Sequence, residues 1–152
     1  MGNCCSTKTE LSAPPRTVGA KELKRVIKKA LKIQSDFIFL ADRTYNAYEH
    51  DDIVEFLRND LTNKKEYLDE TFDCDDFSLV LSAASKKWSS EHGYKKGMCF
   101  GLVWGDIRTD ERPNPHAVNF FVDADGVLWL VEPQSDKIFK PTANSTFWMC
   151  MV

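Results

Sequence analysis

The sequence predicts an α+β fold in which N-terminal helices pack on an antiparallel β-sheet. Two observations lead to this class. In the first half of the chain, apolar residues recur at helical spacing. The second half instead contains short apolar runs, two of which are joined by a tight-hairpin signal. Helices followed by strands in this order are typical of α+β domains.

Three segments of the first half have helical periodicity. Residues 20–33, "AKELKRVIKKALKI", combine a cationic face with an apolar stripe of Leu23, Val26, Ile27, Ala30 and Leu31. Residues 49–61 repeat apolar residues at the same spacing. A longer helix is predicted to begin at Asp73 as its N-cap, because an apolar stripe runs from Phe77 to Trp88.

The predicted sheet occupies the second half. Residues 97–105, 116–123 and 127–132 are expected strands, and the last two are joined by the turn Ala124-Asp125-Gly126. The segments "DKIF" and "FWMCMV" near the C-terminus are expected to supply edge strands.

Charge is divided unevenly along the chain. Residues 1–33 carry eight Lys/Arg against two Glu, a net charge of +6, and the remainder carries −9. This asymmetry indicates that the two parts meet different partners. No apolar run approaches the roughly 18 residues of a membrane-spanning helix. Phosphate-binding loops and basic–aromatic surfaces are absent from the sequence, so a nucleic-acid partner is not expected.

The N-terminus resembles a substrate for N-myristoylation. The chain opens with Gly2 after Met1 and has a serine at position six. One myristoyl chain anchors only marginally, but Cys4 and Cys5 are suitably placed for S-palmitoylation as a second signal. We therefore expect residues 1–19 to be a flexible, acylated anchor on the cytoplasmic face of a membrane, and we expect that membrane to be the plasma membrane.

The predicted basic helix of residues 20–33 has two interpretations that can hold together. Its cations can lie on the anionic inner leaflet, each adding about 1 kcal/mol. Alternatively, the helix is solvated and packs on the domain through its apolar stripe. The remaining residues, 34–152, are expected to form the folded domain.

Three residues of that domain suggest a catalytic triad. Cys74 falls in the first turn of its predicted helix, where the helix dipole favours a thiolate. His116 opens one strand of the hairpin and Glu132 closes the other, so strand pairing brings them to one end of the sheet. Nucleophile, base and orienting acid are what acyl transfer requires. The order Cys, His, acid is that of transglutaminase-like and papain-like folds.

Carboxylates beside Cys74 oppose this interpretation. The motif "FDCDDFS" surrounds the thiol with three aspartates, and nearby negative charge raises the pKa of a thiol. A bound divalent cation would neutralise Asp75 and Asp76. Alternatively, these acids complement the dipole of the helix in its first turn.

The motifs D-C-D-D-F, H-A-x-N and E-P-Q resemble the papain-like cysteine-protease domain attached to Marasmius oreades agglutinin and its relatives. The likeness covers roughly residues 35–140. It implies a triad of Cys74, His116 and Glu132. It also implies calcium, with manganese as an alternative, at Asp75, Asp76 and, more weakly, Asn119. The sugar-binding β-trefoil of the mushroom protein is missing, so glycan binding is not expected from the resemblance.

These observations predict a membrane-tethered, calcium-dependent cysteine peptidase acting on peptide or protein substrates. Gln134 is a candidate for orienting His116 or for donating to an oxyanion, or it is an ordinary loop residue. The alternatives are a catalytically inactive, lipid-anchored binding module on the same fold, and a transglutaminase-like acyltransferase.

Overall fold

The structure, a computed structural model, describes residues 10–107 and 115–152. Within these ranges, the five strands of the second half follow the helices as predicted, but three short strands that the sequence did not predict lie among the helices of the first half. The fold is therefore α+β, as the sequence predicts. The elements are β1 (Arg16–Gly19), α1 (Ala20–Leu31), β2 (Ile38–Phe39), β3 (Thr44–Ala47), α2 (His50–Asn59), α3 (Cys74–Glu91), β4 (Phe100–Asp106), β5 (Pro115–Val122), β6 (Leu128–Glu132), β7 (Lys137–Phe139) and β8 (Thr146–Met151).

A six-stranded sheet has the order β2-β8-β4-β5-β6-β7. Its pairings are antiparallel except that β2 and β8 are parallel. The segment "DKIF" provides the edge strand β7, as predicted. The prediction of "FWMCMV" as an edge strand is wrong, because β8 lies between β2 and β4. A Cβ atom at Gly101 or Gly105 would collide with a backbone carbonyl of β8, so this close pairing requires glycine.

A second, two-stranded sheet pairs β1 with β3. The prediction of a flexible segment extending to residue 19 therefore needs correction. Strand β1 is part of the fold, and upstream of it the backbone amide of Ser12 donates to Asp52 at 2.9 Å. Residues 1–9 of the predicted anchor lie outside the described residues.

Helices cover both faces of the six-stranded sheet. Alternate residues of β5 point to opposite faces. Val118 and Phe120 belong to a core cluster with the apolar stripe of α1, whereas Phe121 belongs to a second cluster that contains residues of α2 and α3. None of the described helices is long and apolar enough to span a membrane.

Candidate functional site

The N-terminus of α3 is fixed by a capping box. Asp73 is the N-cap, as predicted, and its side chain accepts from the backbone amide of Asp75 at 3.3 Å. Asp76 accepts from the backbone amide of Asp73 at 3.2 Å. Reciprocal capping satisfies amides that would otherwise lack partners in the first turn. Cys74 is therefore held as the first residue of the helix.

The Cys74 thiol is half-buried beside β5. Burial raises its pKa, and the negative charges of Asp73 and Asp75 raise it further. Backbone interactions with Ala117 and with Cys74 itself oppose the increase only in part. The net direction of the pKa is upward, with burial as the largest cause. Cys74 therefore favours the neutral thiol at neutral pH, contrary to the thiolate expected from its helical position.

His116 and Glu132 meet as the sequence predicts. His116 Nε2 lies 2.7 Å from Glu132 Oε2, and both side chains are partly exposed. The pairing of Asn119 with Val131 makes the two residues diagonal neighbours on one face, which explains the contact. Gln134 contributes its backbone amide, which donates to Glu132 Oε1 at 3.4 Å. Its predicted role in orienting His116 or donating to an oxyanion stays a prediction.

The predicted triad is only partly assembled. Within residues 10–107 and 115–152, no hydrogen bond joins the Cys74 thiol to His116, whose described hydrogen bond is to Glu132. The sulfur instead lies close to the backbone of Ala117. The described residues thus include the hydrogen-bonded His–Glu pair but no hydrogen bond between nucleophile and base.

The predicted metal ligands are separated in the fold. Ligand atoms of Asp73, Cys74 and Asp75 lie within 4.8 Å of one another. Asp76 is occupied by the capping box. Asn119 is fully buried, and its Nδ2 lies within hydrogen-bond distance of Ser78 O, Ser82 Oγ and Gly101 O. Of the three predicted ligands, only Asp75 belongs to this group.

Carboxylate crowding is the main electrostatic feature of that group. A side-chain hydrogen bond with Asp73 raises the pKa of Asp75, and burial and the negative charge of Asp73 add to the increase. A cation between the two carboxylates would relieve this repulsion. The two acids offer the hard oxygen ligands that calcium prefers, whereas the thiol of Cys74 is a poor calcium ligand.

Tyr67 is a site residue that sequence reasoning missed. Its ring is half-exposed and is stacked with that of Phe77 at 6.5 Å between centroids. Desolvation, Asp73, Asp69 and then Cys74 raise the pKa of its hydroxyl, which puts Tyr67 beside the N-terminus of α3. The only sequence signal is an aromatic residue shortly before "FDCDDFS".

The predicted lipidation sites Gly2, Cys4 and Cys5 lie outside the described residues.

Comparison with known proteins identifies one matching family. Residues 45–138, more than half of the chain, match the family model described as agglutinin C-terminal. This interval includes Cys74, His116, Glu132 and Gln134. No curated protein matches the chain.

Two solved structures have a similar fold. One is a complex of PSL1a with E64, at 22% identity and a TM-score of 0.75, covering 90% of this chain and 51% of the other. The second is Polyporus squamosus lectin bound to the human-type influenza-binding epitope Neu5Aca2-6Galb1-4GlcNAc. It has 21% identity and a TM-score of 0.73, covering 90% of this chain and 49% of the lectin. The chain therefore spans about half the length of each.

These matches contradict the prediction of a cysteine peptidase. The family is described as agglutinin and the second structure as a lectin with a bound glycan, and neither description names a peptidase. The assignments of hydrolase activity, thiol-protease chemistry and a peptide substrate are corrected accordingly. The raised pKa of Cys74 is consistent with this correction. The predicted link to agglutinins is confirmed, whereas its papain-like protease part is not.

Proposed function

Because the chain belongs to the agglutinin C-terminal family, we propose that it is a catalytically inactive binding module tethered to a membrane. One observation carries the proposal beyond the family. The thiol at the predicted nucleophile position has a raised pKa, and within the described residues it makes no hydrogen bond to His116. A neutral thiol is a weak nucleophile. The polar side chains around it are available for ligand recognition.

The proposed ligand site surrounds the N-terminus of α3. It combines Tyr67 and the carboxylates of Asp73 and Asp75 at the start of α3. The Cys74 sulfur lies close to the backbone of Ala117 on β5, and from there the proposed site extends to the adjacent His116 and its partner Glu132. Sugars offer many hydroxyl groups and apolar C–H faces. Carboxylates and an imidazole can hydrogen-bond to the hydroxyls, and an aromatic ring can pack on the faces.

A glycan is the proposed ligand class. Its support is the similar lectin that is described with a bound sialylated glycan. This chain spans about half of that lectin, so the glycan is a proposal for this chain and not a property transferred from the lectin. It replaces the peptide substrate of the sequence prediction.

We also propose that the α+β fold is of the papain-like or transglutaminase-like type, without the catalysis. The support is topological. The N-terminus of α3 carries Cys74 against β5, and the paired His116 and Glu132 follow in the order Cys, His, acid. The fold type alone does not specify an activity.

Calcium, or manganese in its place, is the proposed cofactor. Asp73 and Asp75 would supply carboxylate oxygens, and the mutual repulsion described above favours a cation between them. In this proposal the ion fixes the positions of the two carboxylates and neutralises their negative charge. Asp76, predicted as a ligand from the sequence, uses one carboxylate oxygen in the capping box. Asn119, the weaker predicted ligand, is fully buried, and its Oδ1 has no hydrogen-bond partner among the described residues.

The proposed tether is the acylated N-terminus. Gly2 would carry myristate, and Cys4 and Cys5 would carry palmitate, on the cytoplasmic face of a membrane such as the plasma membrane. Two kinds of acyl chain would anchor the protein stably, whereas one myristoyl chain would bind a membrane only marginally.

A glycan array with the purified chain tests the function. We expect saccharide binding in calcium that falls at least tenfold in Glu132→Gln and in Tyr67→Ala, because each change removes one kind of ligand contact. Two control variants should bind like the parent. Glu55→Gln alters a carboxylate on α2, and Phe37→Ala removes an exposed ring next to β2.

The same preparation should be incubated with a peptide library. Peptide cleavage by the parent that is lost in Cys74→Ala would contradict the binding-module proposal. Binding to no saccharide, with no cleavage, would exclude the glycan class and leave the site without its proposed ligand.

A further inference from the structure

The apolar stripe of α1 is unavailable to a membrane. Leu23 and Ile27 are fully buried and Leu31 is 3% exposed, and all three pack in the core against the sheet. An interfacial helix binds a bilayer by inserting its apolar face. Helix α1 cannot do so without leaving the core. Any apolar contact with lipid must therefore come from another part of the surface.

An exposed apolar groove lies directly beside α1. It has a volume of about 500 Å³ and lies between the start of α1, the segment containing β2 and the end of β8. Phe39 and Met151 line it and are 51% and 40% exposed, and they are neighbours across the parallel β2–β8 pairing. Phe37, two residues before Phe39, is 50% exposed. Large apolar side chains clustered at a surface usually mark a contact site.

Lysines border this groove. Lys21 and Lys24 form part of its wall, and Lys28 and Lys32 border an adjoining depression that also contains Asp36. Lys21, Lys24 and Lys28 lie on one side of α1, and Lys32 is the residue that caps its C-terminus. None of them forms an ion pair with another described residue. Lys21, Lys28 and Lys32 are exposed, and Lys24 is partly exposed.

We propose that the groove and the four lysines form a docking face for an anionic lipid bilayer. Phe37, Phe39 and Met151 enter the boundary between headgroups and acyl chains, and the lysines lie at the level of the anionic headgroups. The inference rests on the membrane tether of the proposed function and deepens it. It gives the tethered domain a fixed orientation, which an acylated tail alone would not.

Charge favours lipid over a protein partner. Among the described residues that line the groove and the depression, four are lysines and one, Asp36, has a carboxylate side chain. A bilayer containing phosphatidylserine presents a uniform negative surface. Lysine side chains can extend their ammonium groups to the headgroups while their stems lie on apolar surface. The lysines can contact the anionic headgroups, and the exposed aromatic rings beside them can contact the acyl chains. An interfacial contact requires both.

Sedimentation with vesicles tests the docking face without its acyl chains. The full-length chain, produced without myristate or palmitate, is mixed with vesicles of phosphatidylcholine alone or with phosphatidylserine added. We expect binding only to the anionic vesicles. It should weaken by about tenfold for each of Phe37→Ser and Phe39→Ser, and by about fivefold for each of Lys21→Ser and Lys24→Ser.

Matched controls address folding and non-specific charge. Leu61→Ser removes an exposed apolar side chain and Lys87→Ser an exposed lysine, both outside the groove, and neither should change binding. All variants alter exposed or partly exposed side chains, so their thermal unfolding should match the parent.

Two results would overturn the docking face. One is that the unacylated parent does not sediment with anionic vesicles. The other is binding that falls equally in the control variants. A concentration-dependent dimer that Phe39→Ser disrupts, without vesicle binding, would instead assign the groove to a second copy of the chain. If the unacylated parent does not bind anionic vesicles but the acylated chain still resides on membranes, the docking face is rejected and the acylated tether is retained.

Discussion

Asn119 on β5 lies 2.8 Å through its Nδ2 from the carbonyl oxygen of Ser78 in α3. The same nitrogen lies 2.9 Å from Ser82 Oγ and 3.0 Å from Gly101 O on β4. One fully buried amide thus connects α3 to two strands of the sheet. This connection fixes the position of the helix whose first turn carries Cys74.

Removing that amide should be strongly destabilising. Asn119→Ala leaves buried backbone and hydroxyl groups without their partner, and we expect a loss of about 2–4 kcal/mol in the free energy of unfolding, measured by urea denaturation. Asn59→Ala is the control, since Asn59 is exposed and bonds within α2. It should cost less than about 1 kcal/mol. Similar losses in the two variants would show that the Asn119 amide does not hold α3 to the sheet.

The Cys74 thiol should alkylate slowly at neutral pH. Its raised pKa means that the reactive thiolate is scarce at pH 7 and increases as the pH rises, so the rate with iodoacetamide should still be climbing above pH 8. Cys99 and Cys150 serve as internal controls. Burial raises the pKa of each to about 12, so both should react only after unfolding.

His116→Ala should leave the alkylation rate of Cys74 nearly unchanged, because no hydrogen bond joins these described residues. Rapid labelling at pH 6 that depends on His116 would be the signature of an activated thiolate. That result would contradict the correction of the peptidase prediction.

Asp75→Asn should stabilise the chain in the absence of calcium. The pKa of Asp75 is raised in the fold, chiefly by its hydrogen bond with Asp73. As the pH rises from below the unfolded value through this higher folded pKa, the folded state loses stability. The asparagine variant avoids that loss and should have the higher Tm at pH 7.

Calcium should reverse this order. At about 100 times its Kd it should stabilise the parent by about 2.7 kcal/mol and leave the Asp75→Asn variant unaffected. Asp51→Asn is the matched control, since Asp51 is an exposed acid in the first turn of α2. A parent whose Tm is the same in calcium and in chelator would leave no role for a metal at this site.

Gly2→Ala should release the chain from membranes, because it removes the amine that is acylated and with it the residence needed to palmitoylate Cys4 and Cys5. Fractionation of cells expressing the fluorescently tagged chain measures this. Cys4→Ser with Cys5→Ser should retain a weaker association that falls with added salt, since the lysines of α1 are exposed to screening. Membrane residence that survives Gly2→Ala would reject myristoylation as the anchor.

Much of the site could be predicted because its determinants are local. The Asp73 N-cap lies directly before the apolar stripe of α3, and the turn at Gly126, which has a positive φ of 79°, sets the hairpin. Hairpin pairing then brings His116 and Glu132 together. The pKa of Cys74 could not be predicted, because it depends on how deeply α3 packs against β5 and on which nearby charges remain unpaired.

The sequence by itself determined the α+β class, the cationic face of α1 and the pairing of His116 with Glu132. These follow from periodicity and short-range spacing, which are properties of the sequence and do not depend on how the chain folds. Only the tertiary structure decided that the apolar stripe of α1 is buried, that Asn119 is committed to α3, and that β8 lies inside the sheet. These are long-range contacts, and nothing in the local pattern specifies which apolar or polar groups will satisfy one another after folding.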